Sequence, residues 1–221
     1  MPDLLPGLDG PTVKPANGGA PKRLVVLLHG LGADGNDLIG LAPYWARLLP
    51  DAEFVSPHAP FPCDMAPFGR QWFSLQSREP EAVLAGQRAV APIIDAYLDA
   101  LLAGRGLDDQ ALALVGFSQG AMMSLFVGLR RAKQAAAILA YSGALPAPEL
   151  LASELRSRPP VLLVHGDADE VVPVRALAHA AAGLKAAGVP TEELLRPGLG
   201  HGIDEDGLRR GGAFLRDNFA R

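Results

Sequence analysis

Short apolar runs recur along the chain, and several of them carry no polar break. RLVVLLHG (23–30), AEFVSP (52–57), ALALVGFS (111–118), AAAILAYSG (135–143), PVLLVHGD (160–167) and PTEELLR (190–196) are all of strand length. A run without alternation is what a strand covered on both faces needs. Between these runs the apolar period lengthens. Leu38, Leu41, Ala42, Trp45 and Leu48 keep helical spacing behind the capping candidates Asn36 and Asp37, and Val174, Leu177, Ala178, Ala181 and Leu184 do so before Gly188. Strand and helix therefore alternate, which predicts an α/β fold with a mostly parallel central sheet of six strands and helices on both faces. The segment LDGPTVKPANGGAPKR (8–23) adds an expected antiparallel hairpin at one edge. No internal repeat, charge block or linker marks a second unit, so residues 1–221 are expected to form one domain.

Composition removes several classes of function. With 49% apolar residues in 221, the chain can bury a full core. A formal net charge of −4 with scattered lysines and arginines leaves no basic stripe to neutralise phosphates, so nucleic acid is not an expected partner. Cys63 is the lone cysteine, which excludes an internal disulfide and fits a reducing compartment. Met1 to Arg23 is rich in proline and glycine and has no apolar h-region, so no signal peptide is expected. No apolar run approaches the roughly 20 residues of a membrane helix. The expected location is the cytoplasm.

The chemistry begins at Gly116, Phe117, Ser118, Gln119 and Gly120, which read GxSxG at the end of one expected strand and the start of a helix. In that context the pattern describes a sharp turn that lifts a serine Oγ above the sheet, with glycines avoiding collisions on either side. The helix start aims free N–H groups and a partial positive charge at whatever forms beside Ser118. A serine hydroxyl needs a base, and the base needs an orienting acid. Of five histidines, His29 and His165 close strands, His58 sits among prolines and His179 lies within a helix. His201, in RPGLGHGIDEDG, occupies a glycine-flanked loop after the last expected strand, free to reach the sheet rim. The acid should follow PVLLVHG, where Asp167, Asp169 and Glu170 are all available and spacing hardly separates the two aspartates. The order serine, acid, histidine is that of α/β-hydrolases. In LLHGLGADGND, Gly30 and Gly32 let the backbone approach a substrate and free the Leu31 N–H to act with the Gln119 N–H as an oxyanion hole. A phosphate-binding reading of that loop lacks both GxxxxGK[ST] and GxGxxG.

LLHGLGADGND, GFSQGAMMS, HGDADEVVP and GLGHG together resemble the four signature blocks of the phospholipase/carboxylesterase family, small α/β-hydrolases that include bacterial carboxylesterases and acyl-protein thioesterases. The resemblance spans nearly the whole chain. It implies Ser118 as nucleophile, His201 as base and, through a DxxVP segment, Asp169 as the acid, with oxyanion donors at the Leu31 and Gln119 backbones. Ala121 departs from the thioesterase pattern, which has a further glycine there, and CDMAPFGRQWFSL (63–75) is longer and more aromatic than theirs.

Only GALPAPELLASELRSRPP (143–160) separates Ser142 from Val161, which leaves no room for a cap domain. The loop from His58 to Pro80 is then the covering of an open groove, with Phe68, Trp72 and Phe73, and Val172 from the acid loop, as substrate-binding candidates; ordinary core packing is the competing reading for Trp72 and Phe73. The expected activity is hydrolysis of a carboxylic ester, thioester or lysophospholipid through an acyl-enzyme. An acyltransferase and a non-catalytic binding protein on the same scaffold are the alternatives. Expected partners are a small-molecule ester or acyl substrate, an acylated protein, and a second copy in a homodimer. No metal and no organic cofactor is expected.

Overall fold

The computed structural model describes residues 7–220. The leader-free start expected over Met1–Arg23 therefore falls in part on residues 1–6, outside the described residues. The chain begins with β1 (Thr12–Val13), β2 (Arg23–Leu28), α1 (Gly35–Leu38), a 3-10 turn (Ile39–Leu41), α2 (Ala42–Trp45) and β3 (Ala52–Val55). A small ribbon of β4 (Phe61–Pro62) and β5 (Arg70–Gln71) precedes the long helix α3 (Pro80–Ala103). Then follow β6 (Leu112–Phe117), α4 (Gln119–Arg130), β7 (Ala137–Tyr141), α5 (Leu151–Glu154), β8 (Val161–Gly166), α6 (Arg175–Ala186), β9 (Thr191–Arg196) and α7 (Glu205–Phe219).

The main sheet has seven strands in the order β1-β3-β2-β6-β7-β8-β9. All six strands read from the apolar runs are present and mutually parallel. Alternate residues of each strand feed opposite faces. Leu24, Val26 and Leu28 of β2 pack with α3 and α4, whereas Val25 and Leu27 pack with Trp45 of α2 and Phe214 and Leu215 of α7. Farther along, Ile138 and Leu163 meet Leu177 and Leu184 of α6. Burial of both faces is why these strands show no polar alternation. The free edge at β9 differs. Its Glu192 pairs with Arg210, Glu193 with Lys185 at 2.5 Å, and Arg196 with Asp204 at 2.8 Å.

Two local expectations change. The edge strand β1 does not form a hairpin with β2; it runs antiparallel along β3, with Thr12 opposite Val55. Gly10 and Gly35 make this possible, because a Cβ on either would collide with the Ser56 carbonyl. The apolar period from Leu38 to Leu48 does not give one helix. Pro43 has no N–H to bond Ile39 and its ring crowds that carbonyl, so the segment breaks into two four-residue helices around the 3-10 turn. Its cap is Asp34, whose carboxylate accepts from the Asn36 N–H at 2.8 Å, in place of Asn36 or Asp37.

From β2 the chain crosses to β3 on one side, and from β6 onward it builds the sheet on the other. The carboxyl ends of β2 and β6 therefore flank the point where strand order reverses, where open α/β sheets bind ligands.

Candidate active site

Ser118 stands between β6 and α4 with φ 53° and ψ −115°, a conformation that a non-glycine residue adopts only when its surroundings hold it there. Two main-chain bonds do so: the Ser118 N–H donates to the Tyr141 carbonyl at 2.9 Å, and the Ser118 carbonyl accepts from the Met122 N–H at 3.1 Å. The flanking glycines are required by space. A Cβ on Gly116 would collide with the backbone of Gly120 and Ala121, and one on Gly120 with the Leu28 carbonyl. The strand end, the turn and the helix start thus meet backbone to backbone. The Ala121 methyl is buried against Gly143, so this departure from the thioesterase pattern fills core space.

The loop after β2 lies beside the turn, since a Cβ on Gly30 would stand 3.5 Å from Ser118 Cβ and 3.1 Å from the Phe117 ring. Leu31 follows immediately and is half-buried. Gln119 is the first residue of α4, where an N–H has no intrahelical partner.

His201 reaches the same rim from the loop between β9 and α7, with its ring 4.8 Å from that of Phe117 between centroids. Its Nδ1 lies 2.8 Å from Asp169 Oδ2. The other carboxylate oxygen, Oδ1, accepts from the N–H groups of Val171 at 2.9 Å and Val172 at 2.8 Å. Burial alone would raise the Asp169 pKa, but the bonds from His201, Val172 and Val171 outweigh it and hold the carboxyl below its ordinary value. Asp169 is thus an ionised acceptor bonded to an imidazole. Asp167 is exposed and does something else: its Oδ1 accepts from the Gly198 N–H at 2.7 Å, tying the β8 loop to the loop that carries His201. Glu170 is exposed.

The remaining candidates divide. Phe68 is 75% exposed at the tip of the β4–β5 ribbon. Trp72 and Phe73 are only 0% and 3% exposed and belong to the core between β2, α3 and α4, so their side chains do not line an open groove. Their place in the core follows from their bonds. The Trp72 indole N–H donates to the His29 carbonyl at 2.9 Å, and the Gln119 carboxamide accepts from the Trp72 N–H at 2.9 Å and donates to the Phe73 carbonyl at 2.7 Å. Val172 is half-buried, and its main chain serves Asp169 on one side and His165 on the other, the His165 Nε2 lying 2.8 Å from the Val172 carbonyl and 3.4 Å from Asp169 Oδ2. Sequence reasoning passed over the Gln119 side chain and the second imidazole beside Asp169. The available signal was a polar amide at a helix start that must enter the core.

Among the described residues, no group of three or more histidine, cysteine or acidic side chains is placed to hold a metal ion, and no helix is long and apolar enough to cross a membrane.

The model of the Phospholipase/Carboxylesterase family matches residues 11–218. Esterase YpfH of Escherichia coli (strain K12) is 31% identical over 192 residues, covering 85% of this chain and 79% of that protein. An acyl-protein thioesterase 1 of Gibberella zeae is 27% identical over 213 residues, covering 87% and 88%. Among solved structures, that of esterase PE8 superposes with a TM-score of 0.91 at 46% identity, covering 96% of this chain and 99% of that one. With its mostly parallel sheet and a serine turn at the strand-order reversal, the chain belongs to the phospholipase/carboxylesterase family of α/β-hydrolases and is a carboxylesterase- and thioesterase-like hydrolase.

Proposed function

We propose that the chain hydrolyses carboxylic esters, thioesters included, through a triad of Ser118, His201 and Asp169. The observation that carries this reading is the pairing of Asp169 Oδ2 with His201 Nδ1 beside a serine held at positive φ. With Nδ1–H donated to the carboxylate, Nε2 is the free basic nitrogen. It takes the Ser118 proton as Oγ attacks the acyl carbonyl, and Asp169 stabilises the imidazolium that results. The Leu31 and Gln119 N–H groups receive the oxyanion. Collapse of the tetrahedral adduct breaks the bond to the alcohol or thiol, which leaves with the proton from His201. Water then attacks the acyl-enzyme by the same route and releases the acid. The exposed Phe68 at the lip, together with Val172, offers apolar contact to the acyl chain.

A fluorophosphonate probe tests the assignment. One equivalent should attach to Ser118 and abolish turnover, and Ser118→Ala should neither label nor turn over. Labelling elsewhere with activity retained in Ser118→Ala would remove the nucleophile.

A further inference from the structure

The assigned site leaves one structural fact without a role: the segment Arg70–Phe73 is bonded to both sides of the oxyanion hole. On the α4 side, the Gln119 carboxamide is fully buried and spends both ends on the main chain of Trp72 and Phe73. A buried amide that finds no partner costs about 1–3 kcal/mol, so this side chain is fixed by what it grips. On the β2 side, the Trp72 indole N–H bonds the His29 carbonyl at 2.9 Å. The Gly32 N–H bonds the Arg70 carbonyl at 2.9 Å, and the Arg70 N–H bonds the Ala33 carbonyl at 2.9 Å. His29 adds to the same loop. Its Nδ1 lies 2.7 Å from the Gly30 carbonyl and its Nε2 accepts from the Ala59 N–H at 3.0 Å, which together select the neutral Nδ1–H tautomer. Burial lowers the pKa of this ring and favours that neutral form. The residues on either side of Leu31 are thus pinned, while none of these bonds uses the Leu31 N–H.

We propose that Arg70–Phe73 is a brace that sets the separation of the Leu31 and Gln119 N–H groups, with the Trp72 indole and the Gln119 carboxamide as positioning residues. The inference rests on the assignment of those two N–H groups as oxyanion donors. Two donors serve one oxyanion only if both lie at hydrogen-bond distance from the place where charge develops, and they sit on elements far apart in sequence. Strand pairing fixes β2 against β6 but not the loop beyond β2. The brace joins that loop to the first residue of α4, and it explains why two large aromatic residues near the site are buried.

The test is Trp72→Phe, which keeps a buried ring and removes the N–H. The expected result is a kcat lower by about tenfold, less than the roughly 10²–10³ lost when an oxyanion donor is removed outright, with KM little changed. The Ki of a trifluoromethyl ketone, which forms an oxyanion on Ser118, should rise by the same factor. Because loss of a core contact also lowers the amount of folded protein, rates are taken per active site titrated with fluorophosphonate. Gln119→Glu supplies an independent arm. Its carboxylate cannot donate to the Phe73 carbonyl, but its protonated form can, so the ratio of variant to native kcat should rise as pH falls. A purely structural role predicts a lower Tm with kcat and Ki per titrated site unchanged in Trp72→Phe, and a pH-independent ratio in Gln119→Glu. That outcome, with normal labelling of Ser118, overturns the brace alone. Failure of Ser118 to label overturns the triad on which it rests.

Discussion

At the end of β6 the chain positions its serine with main chain alone, whereas at the end of β8 it positions its carboxylate with side chains and amides drawn from loops. Ser118 is held by the Tyr141 carbonyl and by glycines whose α-carbons touch neighbouring backbone. Asp169 is held by two amide donors and His201, all from residues after β8 or β9, with His165 of β8 nearby. In the first region a side chain added to either flanking glycine moves the backbone. In the second, charge and tautomer change while the shape is kept. The difference teaches that on the β6 side only the serine Oγ can be changed without touching the fold, whereas on the β8 side both the carboxylate and the imidazole that holds it can be.

The strongest way to probe the contrast is at the serine turn. Ser118→Ala removes only Oγ, and kcat should fall by roughly 10⁵–10⁶ with Tm preserved, as read by turnover and thermal melting. Gly120→Ala places a methyl against the Leu28 carbonyl and should lose folded protein along with activity. On the β8 side, Asp169→Asn should lower kcat by about 10⁴ through the wrong imidazole tautomer, with the melting temperature much less affected. Asp167→Asn, where the amide oxygen still accepts from Gly198, should leave kcat close to native. The reverse ranking would exchange the roles of the two aspartates.

Smaller effects sharpen the comparison at the lip. Phe68→Ala should lower kcat/KM increasingly with acyl length, at about 0.8 kcal/mol per buried methylene, and leave acetate esters unchanged. Trp72→Ala should instead destabilise the fold by about 3–5 kcal/mol, reducing activity on every ester alike. A chain-length series beside melting curves separates the two. The smallest effect concerns His29. Its ring is held below the ordinary 6.5 by burial, so between that lowered value and about 6.5 the unfolded chain binds more protons than the native one. Stability should therefore rise with pH through this window and be level with respect to this ring on either side of it. His29→Gln should flatten that part of the Tm profile. Asp169, held below its ordinary 3.8, contributes stability above that value, which is lost only as pH falls through the lowered one, outside this window.

The parallel strands were legible because burial on both faces leaves an unbroken apolar run, and the serine turn was legible because its glycines are dictated by backbone contact. The choice between Asp167 and Asp169 was not legible from spacing, since what separates them is tertiary: Asp169 turns inward to the His201 ring and two loop N–H groups, and Asp167 stays exposed on the Gly198 N–H. Trp72 and Phe68 lie four residues apart in one aromatic stretch, yet one is core and the other exposed. Apolarity predicts contact but not its partner, and the indole N–H that draws Trp72 inward pairs with a carbonyl 43 residues away. The interrupted helix after β2 had its signal in Pro43, which the periodicity of the neighbouring leucines concealed.

The charged strand at the far edge has a consequence for assembly. A second chain adding to β9 through ladder hydrogen bonds would have to crowd Glu192, Glu193 and Arg196 and disturb their pairs with Arg210, Lys185 and Asp204. Such charges guard an open sheet edge against edge-to-edge growth. Neutralising them, as in Glu192→Val with Glu193→Thr, would leave the rim intact and offer Leu195, already 47% exposed, as part of a flat apolar template for fibre formation.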